Sequence, residues 1–355
     1  MESVIPGFRL APNARRLAFA MTIGLALPTL PGGWTTSGPV LYQANAVAAD
    51  PGPGSSVYAG SSIYDARQSA IFHSADGGRT WQPLVQLLTG EFYSSLLVDP
   101  RATQRIYAGT LATASGNFYL SADGGQTWSP TGSASPSCSP SFATGSGAQT
   151  VLVACGTRLL RSVDGGATWT PLLAPFAEPT RLTPGTGAAG TVLAYGTTSI
   201  YRSTNDGGSW TTLASAPPAC PGLLALRMDP SDADVLVAGV GSVGAQGVCG
   251  GVFRSVDGGR TWGANGLSGY YVTDVAIDAH NPSLVFAGAS TLSGILPRGG
   301  VFESRDGGVS FTDLRLPASG ALRISLSPSG RLLYAATPLG VFARGFRRTT
   351  QLAPR

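Results

Sequence analysis

Carboxylates are the side chains of this sequence best suited to chemistry, because hydrolysis of a glycosidic bond uses two of them. The two groups lie roughly 5 Å apart in a retaining mechanism and further apart in an inverting one. The chain has 19 acidic residues, and most of them fall in turns or in a repeated motif. Asp65, Glu91, Glu178 and Asp274 remain, and of these we nominate only Asp65 and Glu91 as a catalytic pair.

Other chemistries lack the residues they need. The two histidines, His73 and His280, have no Ser or Cys partner for nucleophilic catalysis, and with four cysteines they do not form a zinc site of the finger type. The recurring Asp-Gly-Gly tips offer one carboxylate each, where a calcium loop needs several. No glycine-rich phosphate loop precedes a helix. We therefore expect no metal and no cofactor.

The composition points to short strands joined by tight turns. Gly (49) and Pro (26) together make 75 of 355 residues, or 21%, against roughly 12% in an average protein. The net charge is +4. Residues 1–33 contribute +2 and residues 340–355 contribute +4, so the remainder carries −2. Residues between these basic ends are close to neutral and show no basic patch that could bind a phosphate backbone. We therefore expect no nucleic acid partner.

The N-terminus reads as an export signal, assigned to residues 1–32. Arg9, Arg15 and Arg16 precede the uncharged apolar run Leu17–Leu30, which is shorter than the roughly 20 residues of a spanning helix. An uncleaved membrane anchor is one alternative, and a mis-assigned start codon is another. We expect an exported protein, extracellular or in the cell envelope; the alternative is a protein that its N-terminal apolar run tethers to the membrane.

One octet recurs six times and sets the architecture. Its serines are spaced by 47, 41, 41, 52 and 49 residues, close to the length of a four-stranded blade. The copies are Ser74–Trp81, Ser121–Trp128, Ser162–Trp169, Ser203–Trp210, Ser255–Trp262 and Ser304–Phe311.

The octet reads as the tip of a hairpin. The acidic third position makes an Asx-type turn, the glycines supply positive φ, and the eighth position buries an aromatic ring between blades. The third positions are Asp76, Asp123, Asp164, Asn205, Asp257 and Asp306, and the eighth positions are Trp81, Trp128, Trp169, Trp210, Trp262 and Phe311. Each period predicts four strands, A to D from inside out, and such sheets must pack side by side in a ring.

A seventh blade is predicted from both ends of the chain. The hairpin Leu332–Thr337 with Gly340–Arg344 has no octet after it, and Gly33–Thr36 resembles the strands that follow the other octets. We predict an all-β, seven-bladed β-propeller of four-stranded antiparallel blades over residues 33–346, closed by an outer strand near Trp34, with a basic tail at 347–355. Closure removes the free edges.

The octet resembles the Asp-box, or bacterial neuraminidase repeat, over about residues 33–346. Propellers of this kind include sialidases, xyloglucan-directed endoglucanases, sortilin-type ectodomains and the photosystem II assembly factor. The resemblance implies that the boxes are structural and lie away from any site. A sialidase also needs an arginine triad and a Tyr with an acidic partner. Arg227 and Arg323 lie in or near inner strands, and we expect a third arginine and the Glu–Tyr pair to be missing.

The cysteines test the strand register. The D–A and B–C connections of a propeller emerge on one face and the A–B and C–D turns on the other. Cys138 and Cys155 then share the first face of the third blade, and Cys220 and Cys249 share that of the fifth. We predict the disulfides Cys138–Cys155 and Cys220–Cys249, which suit an oxidising compartment.

The face that carries the cysteines also carries the long B–C loops, where binding usually resides. We expect the ligand there, on aromatic and cationic side chains beside the Asp65–Glu91 pair. The candidate contacts are Tyr64, Arg67, Phe92, Tyr270, Tyr271 and Arg298.

The function expected from the sequence is a non-catalytic binding or scaffolding module that holds a protein or a carbohydrate, and we expect a monomer. One alternative is a glycoside hydrolase, sialidase-like or directed at β-glucans. The other is a membrane-complex assembly factor resembling that of photosystem II, which predicts an arginine-lined face.

Overall fold

In the computed structural model, β-strands make up most of the described part of the chain. The described residues are 31–38, 43–63, 68–87, 91–112, 117–133, 138–178, 180–185, 189–215, 217, 222–244, 247–291, 299–329 and 331–346. A 3-10 turn at Pro31–Gly33 precedes the first strand. Within this part of the chain no helix is long and apolar enough to cross a bilayer. The N-terminal apolar run and the basic tail lie outside the described residues.

Seven four-stranded antiparallel sheets form seven blades. The inner strands, A, of blades 1 to 7 are β2 (Gln43–Ala49), β6 (Glu91–Val98), β10 (Ser141–Thr144), β14 (Arg181–Pro184), β18 (Leu223–Met228), β22 (Tyr271–Asp278) and β26 (Arg323–Leu326). The second strands, B, are β3 (Val57–Ile63), β7 (Ile106–Ala112), β11 (Val151–Cys155), β15 (Val192–Tyr195), β19 (Leu236–Gly244), β23 (Asn281–Ser290) and β27 (Leu332–Thr337).

The third strands, C, are β4 (Gln68–Ser74), β8 (Asn117–Ser121), β12 (Arg158–Ser162), β16 (Ser199–Ser203), β20 (Gly247–Ser255), β24 (Gly300–Ser304) and β28 (Gly340–Gly345). The outer strands, D, of blades 1 to 6 are β5 (Gln82–Leu87), β9 (Ser129–Ser133), β13 (Thr170–Leu172), β17 (Thr211–Ser215), β21 (Gly263–Gly266) and β25 (Thr312–Asp313). The inner strands contact one another in chain order, and β26 contacts β2, so the blades close into a ring.

The closing strand is the first of the chain, as predicted. β1 (Trp34–Gly38) pairs antiparallel with β28, and Trp34 lies opposite Arg344. The Trp34 side chain is fully buried among residues of blades 6 and 7, including Phe286 and Leu333. The ring is therefore closed by strands from both ends of the chain, and β1 supplies the fourth, outer strand of blade 7.

Candidate functional site

Each Asp-box folds as a self-contained turn. In the second box the Ser121 hydroxyl donates to Asp123 Oδ1 at 2.8 Å, and it accepts the Gly125 N–H at 2.7 Å. The Thr127 N–H donates to the same carboxylate at 2.9 Å. These hydrogen bonds, chiefly those from Thr127, lower the pKa of Asp123 to about 2. The same pattern holds Asp76, Asp164, Asp257 and Asp306, so these carboxylates are committed to their own turns.

The fourth box differs from the others. Asn205 Oδ1 accepts from the Ser203 hydroxyl at 3.0 Å and from the Ser209 N–H at 2.8 Å, as an aspartate would. Asp206 takes the next position, which is glycine in the other boxes, with a φ of 55°. Its carboxylate reaches blade 3 and accepts the Ser146 N–H at 2.7 Å. This box therefore joins two blades.

The box aromatics pack between neighbouring blades. Trp128 of blade 2, for example, packs against Tyr58 and Leu84 of blade 1. The others pack in the same way against buried clusters, namely Trp81, Trp169, Trp210, Trp262 and Phe311. Several of the indoles donate to a glycine carbonyl within their own box, as Trp128 does to Gly125 at 2.9 Å. The aromatic ring thus fixes both the turn and the blade interface.

The predicted disulfide between Cys138 and Cys155 is confirmed. Cys138 and Cys155 form a disulfide with Cα atoms 5.4 Å apart, which ties the segment entering β10 to the end of β11. Cys249 is disulfide-bonded as well. Cys220, its predicted partner, lies outside the described residues.

We call the side with the D–A and B–C connections the loop face and the opposite side, with the A–B turns and the octets, the turn face. The predicted loop-face ligands are described only in part. Tyr64, Asp65, Arg67 and Arg298 lie outside the described residues, and only the backbone of Glu91 is described, in β6.

Three aromatic candidates of the loop face can be placed. Phe92 is 38% exposed and lies opposite the similarly exposed Leu111. Tyr270 packs edge-on against Phe302, with ring centres 5.0 Å apart. Tyr271, at the start of β22, lies on Gly241 of blade 5. These three residues belong to two separate places on the face, blade 2 and the blade 5–6 junction.

Glu178 holds a turn of the loop face. Its carboxylate accepts the backbone N–H groups of Thr197, Thr198 and Ser199 at 2.9 to 3.1 Å, and both threonine hydroxyls also donate to it. Burial acts to raise the pKa of Glu178, but these hydrogen bonds outweigh it and lower that pKa. These five hydrogen bonds make Glu178 the anchor of the β15–β16 turn.

Among the described residues, the charged side chains that lie close together belong to the inner strands, which line the central channel. In each blade one inner-strand residue occupies the same register position opposite the second strand. Its partner there is Gly or Ala in six blades and Tyr195 in blade 4. We call these seven inner-strand positions the inner ring. Its members are Ala46, Ser95, Ser141, Arg181, Ala225, Asp274 and Arg323. Blades 1 to 3 and 5 thus contribute small residues, and blades 4, 6 and 7 contribute charged ones.

Arg227, two residues beyond the ring in β18, completes the cluster. Its Nη2 donates to Asp274 Oδ1 at 2.9 Å, and the Tyr195 hydroxyl is a further partner. Asp274 Oδ2 accepts the Ile324 N–H at 3.1 Å. Arg181 donates to the Leu224 carbonyl at 3.1 Å. We call Arg181, Arg227, Arg323, Asp274 and Tyr195 the channel cluster; it joins blades 4 to 7.

The cluster carries an excess of positive charge. Burial acts to lower the pKa of Arg227, but the adjacent Asp274 carboxylate more than offsets this and raises it. Burial lowers the pKa of Arg323, Asp274 acts against it, and Arg181 and Arg227 lower it further. Three guanidiniums face one carboxylate, and Arg323 has no ion pair with any described residue. An anion placed beside Arg323 would relieve this repulsion.

A cavity adjoins the cluster at the turn face. Its volume is about 280 Å³, and it opens where β18, β22 and β26 end. Arg227 forms its charged wall, and the exposed lining as a whole is more polar than apolar. The lining residues are Arg227, Met228, Pro230, Ala276, Ile277, Ala279, Ile324, Ser325 and Leu326.

The expectation that a third central arginine is missing is wrong, because Arg181 occupies the same inner-ring position as Arg323. The sequence hides this equivalence. The inner strands of blades 1, 2 and 5 end in Asp-Pro, which marks their register, whereas β14 ends in Pro184-Gly185. The equivalence shows in the structure, where the Gly185 N–H donates to Thr191 O as the Ser327 N–H donates to Leu332 O. Among the described residues no group of three or more His, Cys, Asp or Glu could hold a metal ion.

Comparison with known proteins supports the class. The family model for the BNR/Asp-box repeat matches residues 119–130, and no curated protein matches the chain. A solved GH74 enzyme of Niastella koreensis is similar at 15% identity and a TM-score of 0.54, over 88% of this chain and 64% of that one. The chain thus spans less than two thirds of that enzyme's length. YCF48 bound to D1 peptide is similar at 16% identity and a TM-score of 0.61, over 92% and 99% of the two chains.

A chain in the crystal structure of the mitotic checkpoint complex is similar at 12% identity and a TM-score of 0.65, over 98% and 100% of the two chains. At these identities the likeness shows the fold alone. The fold defines the class, a seven-bladed β-propeller, and its second octet matches the model of the BNR/Asp-box repeat.

Proposed function

We propose that this propeller is a non-catalytic binding module that holds an anionic segment of a protein partner in its central channel. One observation carries the proposal. Three arginines from different blades cluster around one carboxylate: Arg227 binds Asp274, and Arg323 interacts electrostatically with Asp274, Arg227 and Arg181. Desolvated guanidiniums bind carboxylates through short charge-assisted hydrogen bonds, and they are the preferred residues for this task.

The inner ring favours binding over glycoside hydrolysis. Among the described inner-ring residues Asp274 is the only carboxylate, and it is already engaged by Arg227 and the Ile324 N–H. A glycosidase needs a second carboxylate within reach of the same bond. The hydrolase alternative depends on Asp65 and Glu91, and a direct activity assay with sialosides and β-glucans tests it.

A protein partner is supported in general terms by the structure of YCF48 bound to D1 peptide. An arginine-lined surface is also what the assembly-factor alternative predicted. Because that likeness shows the fold alone, the identity of this protein's partner rests on the channel cluster and not on the relative.

The test is binding of a fluorescent acidic peptide to the purified protein. We expect Arg323→Gln to weaken binding at least about tenfold, since it removes the guanidinium that has no ion pair. Arg79→Gln, on an exposed box tip, is the matched control and should bind as the natural protein does. Affinity should fall as salt rises. Equal binding by the Arg323 variant, or release of sugar from a glycan, would contradict the proposal.

We also propose that the protein is exported and monomeric, with the N-terminal segment as signal or membrane tether. The disulfide between Cys138 and Cys155 supports an oxidising compartment. Cell fractionation with N-terminal sequencing of the mature chain tests export and cleavage, and sedimentation tests the monomer.

A further inference from the structure

The channel cluster also indicates the charge of the anion that it binds. Resting on the proposed function, we propose that this anion is a phosphomonoester group on a side chain of the protein partner, held between Arg181 and Arg323. Each of these arginines is the first residue of its inner strand, β14 or β26, and the inner strands start at the loop face. The partner would therefore present the group from the loop face.

The first argument is that the Arg323 side chain makes no hydrogen bond to the next blade. The polar inner-ring side chains of blades 2, 3, 4 and 6 each bond the backbone of the blade that follows. Arg323 Nη1 donates instead to the carbonyl of Leu322, its neighbour in the chain, at 2.9 Å. No other hydrogen bond joins this side chain to a described residue, so its remaining N–H groups are donors for a ligand.

The second argument is the charge that remains after the one ion pair of the cluster. Arg227 and Asp274 compensate each other, with 2.9 Å between Nη2 and Oδ1. Neither Arg181 nor Arg323 has an ion pair with a described residue, so two positive charges are left. A group with a single negative charge would compensate only one of them, whereas a phosphomonoester carries about two near neutral pH.

The two uncompensated guanidiniums also lie close together. Burial lowers the pKa of Arg323 and Asp274 acts against it; of the two neighbouring arginines, Arg181 lowers that pKa more than Arg227 does. One compact anion can therefore interact with both Arg181 and Arg323.

The third argument is the direction of the donors. Arg181 and Arg323 belong to blades 4 and 7, so their guanidiniums enter the channel from different sides of the ring. A phosphate group presents three strong acceptor oxygens in a tetrahedral arrangement, and it can accept from two sides at once. A carboxylate presents two oxygens in one plane. Blades 1 to 3 contribute only Ala and Ser to the inner ring, which carry no competing charge.

The experiment compares three fluorescent peptides that differ at one residue, which is phosphoserine, sulfoserine or glutamate. Phosphoserine carries about two negative charges above its second pKa of about 6, and the other two residues carry one. At about pH 7.5 we expect the phosphoserine peptide to bind the purified protein at least about tenfold more tightly than either of the others. This advantage should shrink at about pH 5.5, where the phosphate is mostly monoanionic.

The outcomes separate this inference from the proposed function. Equal binding of the phosphoserine and glutamate peptides would overturn the inference and leave the anion site intact. Failure of all three peptides to bind would overturn the proposed function too. A peptide with two adjacent glutamates that binds as tightly as phosphoserine would overturn the inference in favour of paired carboxylates. Inorganic phosphate that competes as tightly as the phosphopeptide would overturn it in favour of the free ion.

Arg181 supplies the variants that test the charge. Arg181→Gln leaves one uncompensated guanidinium, so the phosphoserine peptide should lose at least about tenfold in affinity and the glutamate peptide less. Arg181→Lys keeps the charge and should keep most of the preference, which separates charge from folding; the thermal midpoint checks folding directly. Arg158→Gln, at the exposed start of β12 on the loop face, is the matched control and should bind normally. An unchanged preference in Arg181→Gln would contradict the inference.

Discussion

Trp34 donates its indole N–H to the backbone carbonyl of Leu314 at 2.8 Å, although the two residues are 280 positions apart in the chain. Arg344 donates to the same carbonyl at 2.7 Å, and its guanidinium lies 5.9 Å from the centre of the Trp34 ring. The closing strand is thus attached to blade 7 by its ladder and to blade 6 through this shared acceptor.

Replacing Trp34 should open the ring. Trp34→Ala removes a fully buried side chain and should cost about 3–5 kcal/mol of unfolding free energy. Trp34→Phe should cost much less, since Phe311 fills the equivalent role in blade 6 without an indole N–H. Denaturant unfolding measures both, and equal losses from the two variants would show that the hydrogen bond matters more than the packing.

The Cys138–Cys155 bond closes a short loop, with a sequence separation of 17. The double variant Cys138→Ser, Cys155→Ser should lower the unfolding free energy by about 3 kcal/mol, mainly through the larger entropy of the unfolded chain. The measurement is thermal unfolding without reductant. A stability unchanged by the double variant would contradict this prediction.

The boxes predict acid sensitivity at low pH. The pKa values of Asp123 and Asp257 are lowered to about 2, chiefly by hydrogen bonds from Thr127 and Thr261, against roughly 3.9 in an unfolded chain. A depressed carboxyl pKa contributes stability above about pH 4, and this contribution is lost as the pH falls through about 2. The thermal midpoint should therefore fall between these values.

Asn205 supplies the matched variant for that titration. Asn205 keeps the hydrogen bonds of the turn without a charge. Asp123→Asn should therefore retain the fold and reduce the fall of the thermal midpoint at acid pH. Asp123→Ala should lower the thermal midpoint at neutral pH, because it removes the side chain that caps the turn. If the asparagine variant melts as early as the alanine one, the box depends on the charge itself.

His73 predicts a second pH dependence, near neutrality. Its ring stacks on Tyr58 at 4.6 Å between centres, its Nε2 is buried without a hydrogen-bond partner, and burial lowers its pKa although Asp50 acts against this. The unfolded chain then binds this proton more readily, so stability should fall as the pH drops below about 6.5. His73→Phe should remove the fall in unfolding free energy between pH 7 and pH 5. His280→Gln, at an exposed position, should leave this pH dependence unchanged.

Asp206 balances backbone strain against a blade-to-blade contact. Its φ of 55° costs about 1–2 kcal/mol in a residue with a side chain, and its carboxylate holds Ser146 of blade 3. Asp206→Ala keeps the strain and loses the contact, so we expect it to be the less stable variant. Asp206→Gly loses the contact but relieves the strain. Calorimetry of the two variants measures the difference.

The octet turns were predictable from the sequence because the hydrogen bonds that form each of them lie within eight consecutive residues. An octet such as Ser121–Trp128 contains its own turn, so its chemistry shows in eight residues. The closing strand was predictable since Trp34 repeats the aromatic position of the octets. The candidate site was not predictable from the sequence. Arg181 lies in β14, which lacks the Asp-Pro marker, and the register of β14 is defined only by pairs such as Arg181 with Tyr195.

By itself, then, the sequence determined the number of blades, their closure and the Cys138–Cys155 pairing, because spacing along the chain encodes which strands must be neighbours. Only the tertiary structure decided which charges meet. Arg181, Arg227, Asp274 and Arg323 are far apart in sequence, and a one-residue shift in any inner strand would turn its side chain to the other face. The channel cluster exists because the ring brings four separately registered strands to one axis.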